Sequence, residues 1–281
     1  MPNSPFTDHS MSAPSPAHAP RRGRWVLPVV LLVAAFAVSI TAFVLWPRPV
    51  PPPPAPDLDT AVVHNTRGVA LMEMRKDAEA EAEFLKAMEA APDWLPARIN
   101  YGMALFNQQP AETKELAVQV KKAQEVFAEV LRRQPDNKYA HYCLGMIDMY
   151  VGQYPAAYPH FQKVNELDKS DAHTWLRLGS THPAGPDSPA AAACFEKAVA
   201  LDPYLIEAKY KLFITLRERD PKRADGLLTE HEQLREADRF TESRIVYGEM
   251  GKYADVIGRD ASTDGKPVAA SLPAFEPKAV S

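Results

Sequence analysis

An all-α solenoid, built from four stacked helical hairpins and a degenerate capping pair, is the fold class that this sequence predicts. Three observations carry the prediction. Gly68, Gly102, Gly145 and Gly179 are followed by Phe84, Phe127, Phe161 and Phe195, 16 residues on in three copies and 25 in the second, an excess of 9. With those 9 residues allowed, the four glycines recur every 34 positions, and Ala80, Ala123, Ala157 and Ala191 keep the same phase. Between the prolines that close the copies, at Pro92, Pro135 and Pro203, apolar residues recur at helical rather than strand period. A fixed period with small and aromatic residues in constant columns marks a stacked helix-turn-helix repeat.

In chain order, residues 1–24 open with a Pro, Ser and Ala-rich stretch that lacks apolar periodicity and is expected to be disordered in the cytoplasm. Arg21, Arg22 and Arg24 precede an uncharged run from Trp25 to Trp46, long enough to cross a bilayer, with a tryptophan suited to each interface. Only Arg48 follows closely, so the positive-inside rule keeps the N-terminus in the cytoplasm and puts the rest of the chain outside it. A cleaved signal peptide with Ala35-Phe36-Ala37 as its processing site is the competing reading. The apolar run continues well past that point, which favours a retained helix. No cysteine lies nearby to accept a lipid. Residues 47–57 form a proline-rich linker, expected to be a stiff polyproline II rod.

The hairpins occupy 58–203. In the first, Val62–Arg75 and Asp77–Ala91 are the two helices, and small Gly68 and Ala80 let them close on each other. The second starts at Leu95, stops near Pro110, and spends its 9 added residues on a longer second helix with the stripe Leu116, Val120, Ala123, Phe127 and Val130. The third spans Lys138–Leu167. In the fourth, Pro183, Gly185 and Pro186 shorten the first helix, and Ser188-Pro189 restarts the second as cap and first helical residue. Beyond Pro203 the glycine column holds Phe213 and the phenylalanine column Thr229, so residues 204–239 read as a degenerate fifth repeat or cap with a charged outer face. Residues 240–281 read as a mostly disordered tail.

These columns resemble the tetratricopeptide repeat (TPR) family, of a membrane-anchored bacterial type, over Ala61 to Pro203. Lys169 departs from the closing proline, and only Trp175 fills a column held elsewhere by His64, Arg98 and His141. The resemblance implies a right-handed solenoid whose first helices line a concave groove for extended peptides. The stretch from Tyr247 to Tyr253 (Tyr-Gly-Glu-x-Gly-Lys-Tyr) is similar to the exit of TPR segments that lead into an FG-GAP propeller, though no propeller follows.

The chemistry of the chain points the same way. No phosphate-binding, dinucleotide-binding, zinc-protease or serine-nucleophile motif is present. The net charge of −4, without a basic block in the repeats, excludes nucleic acid as the expected partner. Two cysteines without a CxxC exclude a disulfide framework, and neither metal nor other cofactor is implied. His160, His173 and His182 have no spacing that fixes three ligands on one face. The informative set lies on the first helices. Tyr139, Tyr142, Met146 and Met149 follow at steps of 3, 4 and 3, and Ile99, Met103, Phe106 and Leu176 join them from neighbouring repeats. Such a stripe is either a peptide-binding groove, core between repeats, or a surface covered by the chain's own tail. The expected function is a non-enzymatic, single-pass scaffold of the inner (cytoplasmic) membrane. Its repeats lie outside the cytoplasm and bind another protein through an extended segment, while one helix sits in the lipid bilayer. An envelope or cytochrome-biogenesis assembly factor, the targeting half of a truncated propeller or enzyme protein, and a structural spacer are the alternatives.

Overall fold

The computed structural model describes residues 55–108, 113–243, 245 and 247–258. The expected membrane helix at Trp25–Trp46, the disordered segment before it and most of the proline-rich linker lie outside these residues. Among the described residues no helix is long and apolar enough to cross a membrane.

Ten helices run through the described residues: α1 (Leu58–Glu73), α2 (Asp77–Ala90), α3 (Leu95–Asn107), α4 (Thr113–Arg133), α5 (Lys138–Tyr150), α6 (Tyr154–Leu167), α7 (Ala172–Ser180), α8 (Pro189–Leu201), α9 (Ile206–Leu216) and α10 (Pro221–Glu236). They pair as α1/α2, α3/α4, α5/α6, α7/α8 and α9/α10, and each hairpin packs on the next. Local chemistry starts several of them. Asp57, Asn137, Asp171, Ser188 and Asp220 each accept a hydrogen bond from a backbone N–H three residues on, satisfying a donor that a helix start leaves free. Pro189 follows its cap at the helix start, where its missing N–H costs nothing. At 9 residues α7 is the shortest helix, stopped before Pro183, while α4 runs to 21 and absorbs the extra residues of the second repeat.

One steric device repeats inside the four hairpins. Phe84, Phe127, Phe161 and Phe195 are fully buried, each with its ring laid on the register glycine of the paired helix. A Cβ on Gly68, Gly102 or Gly145 would stand 2.5, 2.8 and 2.8 Å from that ring, so no other residue permits the approach. Gly179 meets Phe195 in the same way. The Trp-column residues also reach the paired helix. His64 Nδ1 is 2.7 Å from Glu83 Oε2, and His141 Nδ1 is 3.0 Å from His160 Nδ1. The fifth pair replaces the glycine lock with leucines, Leu212, Leu216 and Leu227, and exposes its charged residues from Glu230 to Arg239.

Within the tail, residues 240–243, 245 and 247–258 are described, and they pack on the repeats. Thr241 forms a short parallel bridge with Leu205, its N–H donating to Tyr204 O at 2.8 Å. The chain then runs back along the first helices, burying Tyr247, Met250, Tyr253, Ala254 and Ile257. Those five side chains supply the apolar area that a disordered segment lacks. Residues 259–281 lie outside the described set.

Candidate interaction groove

The first helices α3, α5 and α7 carry the stripe picked out in the sequence, and the structure places the tail against most of it. Phe106, Tyr139, Tyr142, Met146 and Met149 share a cluster with Met250, Tyr253 and Ala254. Ile99 and Met103 share another with Val256 and Ile257. Leu176 packs instead among Phe195, Ala208 and Leu212, as core between repeats. Tyr142, expected to face an open groove, is fully buried: its ring meets Phe161 edge-on at 5.4 Å, and its hydroxyl donates to Met250 O at 2.5 Å.

The tail is held largely by its main chain. Asn100 Nδ2 donates to Ile257 O at 2.8 Å, while Ile257 N donates back to Asn100 Oδ1 at 2.7 Å. Asn65 Nδ2 also donates to Ile257 O, at 3.2 Å, and its own carbonyl accepts from Asn100 Nδ2 at 2.8 Å. Both asparagines are completely buried, so these bonds answer amides that would otherwise be costly to desolvate. Further along, Cys143 Sγ donates to Tyr253 O at 3.5 Å, and Arg177 Nη2 donates to Ser243 O at 2.9 Å and Ser243 Oγ at 2.7 Å. Burial pushes the Cys143 thiol far above its ordinary range, which keeps its proton available for the weak bond.

Side chains of the tail add specificity at two points. Tyr253 stands edge-on to Tyr139 at 5.3 Å, and its hydroxyl donates to Asp168 Oδ2 at 2.5 Å. Lys252 Nζ reaches the same oxygen at 2.8 Å and Asp171 Oδ1 at 3.8 Å. Burial alone would raise the Asp168 carboxyl, but hydrogen bonds from Lys252, Ser170 and Tyr253 outweigh it and hold the group well below the usual carboxylate range. Burial, and then the Asp168 charge, push the Tyr253 phenol far up, so it remains a donor. At the other point, Tyr247 OH donates to Glu73 Oε1 at 2.9 Å beneath the Arg75 guanidinium, 5.7 Å above its ring.

Three of the main-chain ligands share one column that the apolar stripe concealed. Asn100, Cys143 and Arg177 each lie two residues before a register glycine, at Gly102, Gly145 and Gly179. Each is buried in a helix interior and each donates to a tail carbonyl. A repeated polar residue on a face that must be buried was the available signal. Lys211, two before Phe213, is the next member of the column. It lines a cavity of about 930 Å³ with Arg177, Glu207, Met149, Tyr154 and the tail residues Ser243 and Ile245. Among the described residues no cluster of three His, Cys, Asp or Glu is placed to hold a metal ion.

Solved structures share this fold. MamA from Desulfovibrio magneticus RS-1, resolved from residue 41 to its end, aligns with a TM-score of 0.54 and 22% identity, covering 64% of this chain and 97% of that one. The MamA RS-1 ArsTM double mutant gives the same values, 0.54 and 22% over 64% and 97%. A further MamA crystal structure aligns at 0.50 and 16% identity over 65% and 96%. No family model and no curated protein matches the sequence. At these identities the likeness is one of fold: an all-helical solenoid of the tetratricopeptide type.

Proposed function

We propose that the chain is a scaffold that binds an extended segment of another protein on the concave face of its solenoid, anchored by its N-terminal helix in the inner membrane with the repeats outside the cytoplasm. One observation carries the binding reading: a stretch of polypeptide already lies on that face, gripped through its main-chain groups by Asn100, Tyr142, Cys143 and Arg177. Main-chain recognition is indifferent to most side chains, so a surface that accepts one segment has the chemistry to accept another. The anchor rests on the uncharged run Trp25–Trp46 and the arginines before it. No step of covalent chemistry is assigned to the groove.

The test is a photo-crosslinking residue in place of Tyr139 or Phe106 in the full chain in cells. Adducts to a distinct envelope protein are the expected result. Crosslinks confined to the chain's own residues 240–258 would reduce the tail to a structural part and end the scaffold reading. A reporter fused after Pro56 should be active only outside the cytoplasm, and recovery of a soluble chain starting near Val38 would remove the anchor.

A further inference from the structure

We infer that the partner segment carries the tail's own basic–aromatic pattern, Met-x-Lys-Tyr-x-x-x-Ile, and enters the groove by displacing the tail. The inference rests on the reading of the concave face as a protein-binding groove, and it adds what is recognised and what competes.

Each element of the pattern answers a feature of the solenoid. The aliphatic residue at Ile257 sits where Asn65 and Asn100 clamp the main chain, among Ile99, Met103 and Leu105. Four residues earlier, the aromatic ring of Tyr253 lies against Tyr139, and only a hydroxyl on that ring reaches Asp168. The lysine before it meets Asp168 and Asp171, two carboxylates to which a neutral segment would bring no cation. Three residues before the tyrosine, Met250 enters the Tyr142 and Met146 cluster. A phenylalanine in place of Tyr253 loses a charge-assisted bond, and an acidic residue in place of Lys252 meets like charge.

The tail is an occupant that can leave. It joins the last hairpin through the Leu205–Thr241 bridge and a short connection after α10. None of its residues supplies the glycine–phenylalanine locks that hold the hairpins. Its passage depends on Gly251, whose φ is +103° and whose Cβ, if present, would stand 2.8 Å from His173 and 3.0 Å from the Tyr142 hydroxyl. A side chain at this position is incompatible with the docked tail and leaves the solenoid sequence untouched. A second copy's tail would exchange identical contacts for identical ones and add only the cost of association, so the external occupant is a segment of a different protein.

The experiment uses the full chain and a fluorescent synthetic peptide of residues 240–258. The unmodified chain should bind the peptide weakly, and Gly251→Ala should bind it at least about tenfold more tightly, because the strained and crowded position releases the competitor. On Gly251→Ala, peptides with Tyr253→Phe or Lys252→Ala should bind about tenfold more weakly than the parent, as expected for losing one bond to a charged group. Equal affinity for the unmodified chain and Gly251→Ala would overturn the competition while leaving the groove in place. Equal affinity for the three peptides would overturn the pattern. No binding to a Gly251→Ala chain of unchanged helicity would take the groove itself away. Should that variant fail to fold, hydrogen exchange in the unmodified chain decides: excess peptide should speed exchange of the Ile257 amide, and unchanged exchange with peptide bound would overturn displacement. A dimer of the unmodified chain that Gly251→Ala abolishes would make a second copy the occupant and overturn the assignment to a different protein.

Discussion

The inside of each hairpin and the concave face are built from the same first helices and held by opposite means. Inside the hairpins, Gly145 and Phe161 meet across 16 residues of chain, without a polar atom, in an arrangement repeated four times. On the concave face, Asn100 and Ile257 are 157 residues apart and meet through hydrogen bonds at a place that occurs once. The first kind of contact is local, apolar and redundant, and gives the solenoid its stability. The second is remote, polar and single, and is the kind that can be exchanged for an equivalent segment without dismantling the fold. Quasi-one-dimensional proteins allow this separation because each repeat is stabilised by its neighbours.

The largest effect should come from breaking the apolar side of this contrast. Phe161→Ala empties a fully buried position against Gly145 and should cost about 3–5 kcal/mol in chemical denaturation. Phe84→Ala should cost a similar amount if the four locks are equivalent. An unchanged denaturation midpoint for Phe161→Ala would show that the locks do not carry the fold.

Breaking the polar side should be milder and confined to the tail. Asn100→Ala strands the N–H of Ile257 and leaves its carbonyl only the longer bond from Asn65, at roughly 1–3 kcal/mol for the docked tail. Exchange of the Ile257 amide should accelerate by one to two orders of magnitude while amides of α5 and α6 keep their protection. Equal acceleration throughout would mean that the two regions unfold as one.

The same division decides what the sequence revealed. The repeat register was legible because glycine and phenylalanine columns record a steric requirement that recurs, and the cap was legible where Phe213 and Thr229 interrupt it. The apolar stripe was legible too, and its cover by the tail only as one of three readings. Residues 240–258 look like a polar, glycine-containing exit segment, and their spaced apolar residues gain meaning only beside a surface more than 100 residues away. Asn100, Cys143 and Arg177 escaped notice because three different donors in one column do not look like a repeat until all three are seen binding carbonyls. Leu176 was drawn into the groove by register alone, and it packs instead with Phe195 of α8 and Ala208 and Leu212 of α9.

Acid should act first through the buried histidines and only later through Asp168. His141 Nε2 lies 2.9 Å from Pro135 O, which only accepts, so neutral His141 presents Nδ1 as an acceptor and His160 donates to it. Burial, then the neighbouring His141, depresses His160 to about 4 from an ordinary 6.5. The unfolded chain therefore binds this proton first. Its contribution to stability is complete above pH 6.5 and declines as the pH falls towards about 4. Asp168, held below its ordinary 3.8, keeps its contribution to tail docking above that value and loses it only in stronger acid. His173, under the tail and also depressed by burial, adds a share to the tail in the earlier window. His160→Asn should flatten the fall in thermal midpoint between pH 6.5 and 4, and an unaltered slope would assign that fall to other groups.

The smallest effect comes from the one residue that belongs to both regions. Tyr142 sends its ring to Phe161 in the hairpin interior and its hydroxyl to Met250 O in the tail. From sequence alone its truncation to alanine is expected to cost binding and little stability; full burial reverses that expectation, because alanine would open a cavity in the third repeat. Tyr142→Phe keeps the ring and removes only the hydroxyl, leaving Met250 O without this donor. The loss should be about 1 kcal/mol. Most of it should appear as faster exchange in residues 250–257, with the denaturation midpoint of the hairpins nearly unchanged. A shift of that midpoint as large as the one from Phe161→Ala would mean that the tail is part of the solenoid's cooperative core, and the distinction between a fixed interior and an exchangeable face would fall with it.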